Sequence, residues 1–158
     1  MITYSDSTST SEPAGVTVPA ATASVKAGRW EKKKFQGHEI AGKTLGVVGI
    51  GNIGSVLVER ALAMKMRVVA YDPFITADAA GKLGARLVDL DALWRESDVV
   101  SLHVPLTDQT RHLVDAATIA KMKKGAILVN CARGGVVDEK ALADALASGH
   151  LGGAALDV

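Results

Sequence analysis

Residues 49–54 read GIGNIG, between the apolar run TLGVV (44–48) and the segment SVLVERALAM (55–64). In a strand–turn–helix unit, glycines at the first, third and sixth positions have separate tasks. Gly49 permits a tight turn out of the strand, Gly51 leaves room for a pyrophosphate, and Gly54 lets helix and sheet approach closely. The phosphates would rest against backbone N–H groups at the helix start. Such a hexapeptide is weak evidence by itself. Here a second apolar run, RVVAY (67–71), ends at Asp72, about 20 residues beyond Gly51, where a carboxylate can bind both ribose hydroxyls. That charge repels an additional 2′-phosphate, so the expected cofactor is NAD rather than NADP. Lys65 and Arg67 lie before this strand or at its start, away from the end that would meet a phosphate.

The order around the motif is regular. Apolar side chains at Ile53, Val56, Leu57, Ala61 and Met64 have helical spacing and predict a helix over 53–65. Further helices are expected over 76–85, 89–97, 115–125 and 138–149, the last with an acidic start. Strands are expected at 86–88, 98–104, 126–132 and 151–158. Strands alternating with helices imply an α/β fold, a Rossmann-type doubly wound and mostly parallel sheet in a three-layer sandwich. Upstream, ATASVKAGRW (21–30) reads as the last turns of a helix closed by Gly28, and WEKKKFQGHEIAG (30–42) as a solvated connector. The expected organisation is a poorly ordered leader over 1–15, a remnant helix and connector over 16–42, and a nucleotide-binding domain over 43–158.

Ligands of open α/β sheets gather beyond the C-terminal strand ends, and three later ends carry unusual residues. HVPLTDQTRHL (103–113) offers Pro105 as a flat wall for a heterocycle, with Thr107 and Thr110 as small donors; its other reading is a strand stopped by proline. NCARGGVVDE (130–139) places Arg133 before two glycines, where a guanidinium can clamp a carboxylate bidentately. The alternative for Arg133 is an ion pair with Asp138 or Glu139. Asp157 can accept a hydrogen bond from a carboxamide. His103 and His112 are candidate bases by residue type alone, and His103 reads equally as a packed, hydrogen-bonded histidine.

Composition excludes several classes. A formal charge of +1 gives no bulk attraction to nucleic acid or to anionic membrane. One cysteine, Cys131, allows neither an intrachain disulfide nor a thiolate metal cluster, so no metal is expected. No apolar run approaches the length of a membrane span, and the first 20 residues lack the pattern of a signal peptide. A cytoplasmic protein is expected, with a core built from aliphatic residues and alanine because only six aromatic residues are present, Trp30, Trp94, Phe35, Phe74, Tyr4 and Tyr71.

Taken in order, PAATASVKAGRWEKKKFQG, GKTLGVVGIGNIG, AYDPF, DVVSLHVPLT, KKGAILVNCARGGVVDEKAL and GGAALDV resemble the nucleotide-binding domain of the D-isomer-specific 2-hydroxyacid dehydrogenases over residues 18–158. WEKKKF followed by NCARGG points to the branch of that family acting on 3-phosphoglycerate. The resemblance implies that Gly49, Gly51, Asn52, Ile53 and Gly54 surround the pyrophosphate of NAD and that Asp72 holds the adenosine ribose. It places His103, Pro105 and Thr110 along the pocket, the backbone of Cys131 and Ala132 at the nicotinamide, and Asp157 near its carboxamide. Arg133 matches the arginine that grips the substrate carboxylate, the one catalytic residue expected in this chain. The implied partners are a small, phosphorylated 2-hydroxy or 2-oxo acid and a second copy in a homodimer. The alternatives within the family are reduction of hydroxypyruvate, glyoxylate or pyruvate. A non-catalytic NAD-binding fragment is the alternative outside it. The catalytic histidine, its glutamate partner, a last strand and the substrate-binding domain match nothing in residues 1–158. The chain is therefore expected to be a C-terminally truncated piece of the enzyme, able to bind NAD without turnover.

Overall fold

The computed structural model describes residues 18–35 and 37–158. The leader expected over 1–15 lies outside the described residues. Six strands, β1 (Thr44–Val48), β2 (Arg67–Tyr71), β3 (Arg86–Leu87), β4 (Val99–Leu102), β5 (Ala126–Asn130) and β6 (Leu151–Leu156), form one sheet in the order β3-β2-β1-β4-β5-β6. Every pairing is parallel, so "mostly parallel" sharpens to wholly parallel. The order reverses between β1 and β4, which opens a crevice at the C-terminal end of β1.

Central position explains the composition of β1. All five of its residues are buried, as expected of a parallel strand covered on both faces. Two helices, α2 (Asn52–Ala63) and α3 (Ala77–Lys82), cover one face. There Val58, Ala61 and Ala80 pack with Leu45, Val47, Val68 and Ala70. Three others, α4 (Leu90–Glu96), α5 (Ala116–Lys121) and α6 (Glu139–Ala147), cover the opposite face. Leu93, Ile119 and Leu142 meet Val48, Val100, Leu102 and Leu128 there. This is the three-layer sandwich. The core is aliphatic with one exception: Trp94 is 2% exposed within the second layer.

Helix starts follow their capping residues. Thr76, Asp89, Asp115 and Asp138 accept the N–H groups of Ala79, Ala92, Thr118 and Ala141, each satisfying a donor the helix cannot. The expected helix over 115–125 stops at Lys121, because Met122 turns to an extended conformation with ψ 155°. Lys123, Lys124 and Gly125 form the turn into β5, and Lys123 Nζ bonds Asp98 Oδ1 at 3.0 Å. Upstream, α1 (Val18–Lys26) ends as expected at Gly28, φ +73°, and a short 3-10 helix (Lys32–Phe35) interrupts the connector. Among the described residues no helix is long and apolar enough to cross a membrane.

Two glycines separate packing from flexibility. A Cβ at Gly46 in β1 would overlap Ser97 Oγ and lie 2.9 Å from Leu93 Cδ2, both in α4 or its cap, whereas one at Gly81 in α3 would meet nothing within 4 Å. Gly46→Ala is expected to lower unfolding stability by about 2–4 kcal/mol through overpacking. Gly81→Ala is expected to raise it by about 0.5–1 kcal/mol through helix propensity. Urea denaturation of both variants checks the pair.

Candidate nucleotide site

The residues singled out by pattern converge at one end of the sheet. Gly49 follows β1, Asp72 follows β2, His103 follows β4, Cys131 follows β5 and Asp157 follows β6. Gly49 turns the chain with φ +94°, and a Cβ there would sit 2.8 Å from the His103 carbonyl oxygen. A Cβ at Gly54 would overlap the Gly49 carbonyl oxygen. Both positions need glycine for the fold alone.

Gly51 does not. Its φ of −73° and ψ of −160° are extended and outside the left-handed region, and a Cβ there would meet nothing within 4 Å. It caps α2 without any side-chain hydrogen bond, whereas α3 to α6 all carry one. The first-turn donors at Asn52 and Ile53 therefore lack a side-chain cap, and the space beside Gly51 is open at the positive end of a 12-residue helix. The exposed Ile53 side chain (71%) stands beside it. This cradle fits a pyrophosphate.

Asp72 stands at the neighbouring strand end, its Oδ2 accepting the Ile50 N–H and its Oδ1 the Phe74 N–H, each at 2.9 Å. His103 is part-buried, its backbone N–H donates to Val48 O at 2.8 Å, and its Nε2 shares a 2.9 Å hydrogen bond with Ser101 Oγ. Burial pushes its imidazole below the ordinary 6.5, favouring the neutral ring. His103 is therefore hydrogen-bonded and part-buried. Beyond it, the hydroxyl of Thr110 donates to Pro105 O at 2.6 Å and lies 3.1 Å from Thr107 Oγ1. Instead of standing free as small donors, the two threonines close the 105–110 loop on itself.

After β5, Cys131 and Arg133 are exposed. Among the described residues Arg133 joins no ion pair; Asp138 caps α6 and Arg133 Nη1 donates to Ala132 O at 2.6 Å. Asn130, absent from the pattern-based site, organises this loop. It is 1% exposed, its Nδ2 donates to Arg133 O at 3.0 Å, and its Oδ1 accepts the Ala132 N–H at 3.1 Å. A polar residue ending the apolar run AILV was the only signal for it. The Asp157 N–H donates to Asn130 O at 3.0 Å, tying the end of β6 to the same residue. The loops after β4 and β5 are joined, since His112 N–H donates to Gly135 O at 2.9 Å and Val114 bridges Val137.

His150 precedes β6, at the opposite strand ends from this site, and has Nε2 2.9 Å from Ile119 O of α5. A depression of about 390 Å³ lined by Thr44, Met66, Arg67 and Arg86 lies at the N-terminal strand ends, opposite the cradle. It contains none of the residues above. Among the described residues no group of His, Cys, Asp and Glu is arranged to hold a metal ion.

Residues 16–158 match the family model "D-isomer specific 2-hydroxyacid dehydrogenase, NAD binding domain". The chain belongs to this family. D-3-phosphoglycerate dehydrogenase of Methanocaldococcus jannaschii is 52% identical over 142 residues, 89% of this chain and 27% of the relative. Hydroxypyruvate reductase of Thermotoga maritima is 52% identical over 141 residues, 89% of this chain and 45% of the relative. The crystal structure of D-lactate dehydrogenase from Aquifex aeolicus, complexed with NAD and lactic acid, superposes with a TM-score of 0.81 at 38% identity, covering 88% of this chain and 42% of that one. The chain thus spans about a quarter to under a half of the relatives it matches. Its matched region is the NAD-binding domain of that family.

The His103 environment carries a pH signature. The unfolded chain takes up a proton on this imidazole near 6.5, whereas the folded site resists it to lower pH. The contribution of His103 to stability is therefore present above about pH 6.5 and is lost as pH falls through that value toward the lower folded pKa. Urea midpoints between about pH 7.5 and 5.5 are expected to fall more steeply for the parent than for His103→Gln.

Proposed function

We propose that the enzyme containing this domain oxidises D-3-phosphoglycerate to 3-phosphohydroxypyruvate with NAD, the entry step of phosphorylated serine synthesis. The carrying observation is the pairing of the uncapped α2 start at Gly51 with the exposed Arg133 loop two strands away. One end suits a pyrophosphate, the other a carboxylate, and the crevice between them lies where folds of this class take dinucleotides. Relatives named D-3-phosphoglycerate dehydrogenase, 52% identical in Methanocaldococcus jannaschii, support the substrate.

In this reading, Gly49, Gly51, Asn52, Ile53 and Gly54 seat the pyrophosphate, and Asp72 accepts hydrogen bonds from the adenosine ribose and excludes a 2′-phosphate. Pro105 and the closed Thr110 loop wall the adenosine side, with His103 as a neutral, polar neighbour. The backbone of Cys131 and Ala132, held by Asn130, meets the nicotinamide, and Asp157 its carboxamide. Arg133 grips the substrate carboxylate and fixes the face presented to the cofactor. NAD would supply the hydride acceptor for the hydroxyl-bearing carbon. By the family resemblance, the base that takes the hydroxyl proton is a histidine that matches nothing in residues 1–158. We also propose that the protein pairs as a homodimer; Trp30, 80% exposed, and Val25 offer apolar contact surface on the N-terminal arm.

A second reading keeps the site and changes the acid. The Thermotoga maritima hydroxypyruvate reductase is equally identical, and an arginine recognises any carboxylate. Steady-state assay of the full-length enzyme with 3-phosphoglycerate, D-glycerate and D-lactate separates the two. The highest kcat/KM is expected for 3-phosphoglycerate, with a loss of about a hundredfold on Arg133→Ala. Preference for D-glycerate would replace the first reading by the second.

A further inference from the structure

The carboxylate of Asp72 is engaged by the protein itself. Its Oδ2 accepts the Ile50 N–H and its Oδ1 the Phe74 N–H, both at 2.9 Å. Ile50 is the second residue of the glycine hexapeptide and is 6% exposed. The segment before it is held by backbone bonds, Gly49 N–H to Tyr71 O at 2.8 Å and His103 N–H to Val48 O at 2.8 Å. The segment after it is held by α2, beginning with Ser55 N–H to Gly51 O at 2.9 Å. Between these two anchors, the Ile50 N–H is bonded by a side chain from another strand end.

A carboxylate has about four lone-pair sites. Two are used here, one on each oxygen, so one on each oxygen remains for hydroxyl donors. Resting on the reading of this crevice as the NAD site, we propose that Asp72 is also a positioning residue for the pyrophosphate loop. Its carboxylate fixes the Ile50 amide and, through it, the path from Gly49 to Gly51 that leaves the α2 start open to phosphate. Ribose recognition and phosphate seating then depend on one group. Exchanging Asp72 to admit NADP loosens the phosphate seat at the same time.

The test separates the two roles by using a ligand without ribose hydroxyls. ADP and 2′,3′-dideoxy-ADP are titrated calorimetrically into the parent, Asp72→Ala and Asp72→Asn, and hydrogen exchange of the Ile50 amide is followed in each. Retained protection of the β4 and β5 amides reports that a variant is folded. Asp72→Ala is expected to weaken dideoxy-ADP about tenfold, although that ligand has no hydroxyl to lose, because a charge-assisted hydrogen bond to the loop is gone. Ile50 exchange is expected to accelerate in the same variant. Asp72→Asn keeps an oxygen able to accept one N–H and is expected to recover part of both effects. Unchanged dideoxy-ADP affinity, or unchanged Ile50 exchange, in Asp72→Ala overturns the proposal and leaves Asp72 a ribose contact alone. A parent that binds neither nucleotide overturns the NAD-site reading along with it.

Discussion

The contact between Gly54 and the Gly49 carbonyl governs both the packing of the first helix and the shape of the crevice. No side chain fits there, since a Cβ at Gly54 would overlap that oxygen. The contact draws the first turn of α2 onto the end of β1 and forces the connecting chain through a single sharp bend. Gly49 takes the bend at φ +94°, a conformation costly to any residue with a Cβ. With α2 in place, Val58 and Ala61 cover one face of β1 and β2. The positive end of the helix is left open at the crevice. Packing and the open helix start proposed for the pyrophosphate therefore originate in the same few atoms.

The two halves of the sheet contribute different chemistry to that crevice. On the β1–β2 side, backbone donors and one carboxylate favour a nucleotide. On the β4–β5 side, the loops are shaped by their own side chains. Thr107 and Thr110 close one of them, and Asn130 holds the next from a fully buried position. Such bonds commit polar groups to shape and leave backbone and Arg133 as the groups free to meet a ligand. A site of this kind is preorganised by residues that need never touch what it binds.

Much of this was legible in sequence because it is local. Continuous apolar runs such as TLGVV and AILV mark strands buried on both faces, and Thr76, Asp89, Asp115 and Asp138 mark helix starts. The glycine spacing marks the turn. What was illegible depends on partners remote in the chain. Lysines 123 and 124 look like the end of a helix, yet Lys123 answers Asp98 and the helix stops at Lys121. The threonines of HVPLT and its neighbour segment look like free donors until the loop is seen to close on Pro105 O. Trp94 joins an otherwise aliphatic core because α4 presses it onto the sheet. Asn130 reads as a strand-end polar residue, and only the folded chain shows both ends of its amide bonded to the Arg133 loop.

In the proposed reading the glycine crossing serves a dinucleotide as well as the fold, and Gly51 isolates the two. A Cβ at Gly51 meets nothing within 4 Å, so Gly51→Val projects a side chain into the open space beside the α2 start. The direct measurement is calorimetric titration of NAD into the parent and Gly51→Val, with urea unfolding of both. A folded variant is predicted, less stable by about 1 kcal/mol because valine is a poorer N-cap than glycine, together with saturable NAD binding by the parent that the valine abolishes. Equal NAD affinity in two folded proteins would contradict a role for this crossing in holding the cofactor.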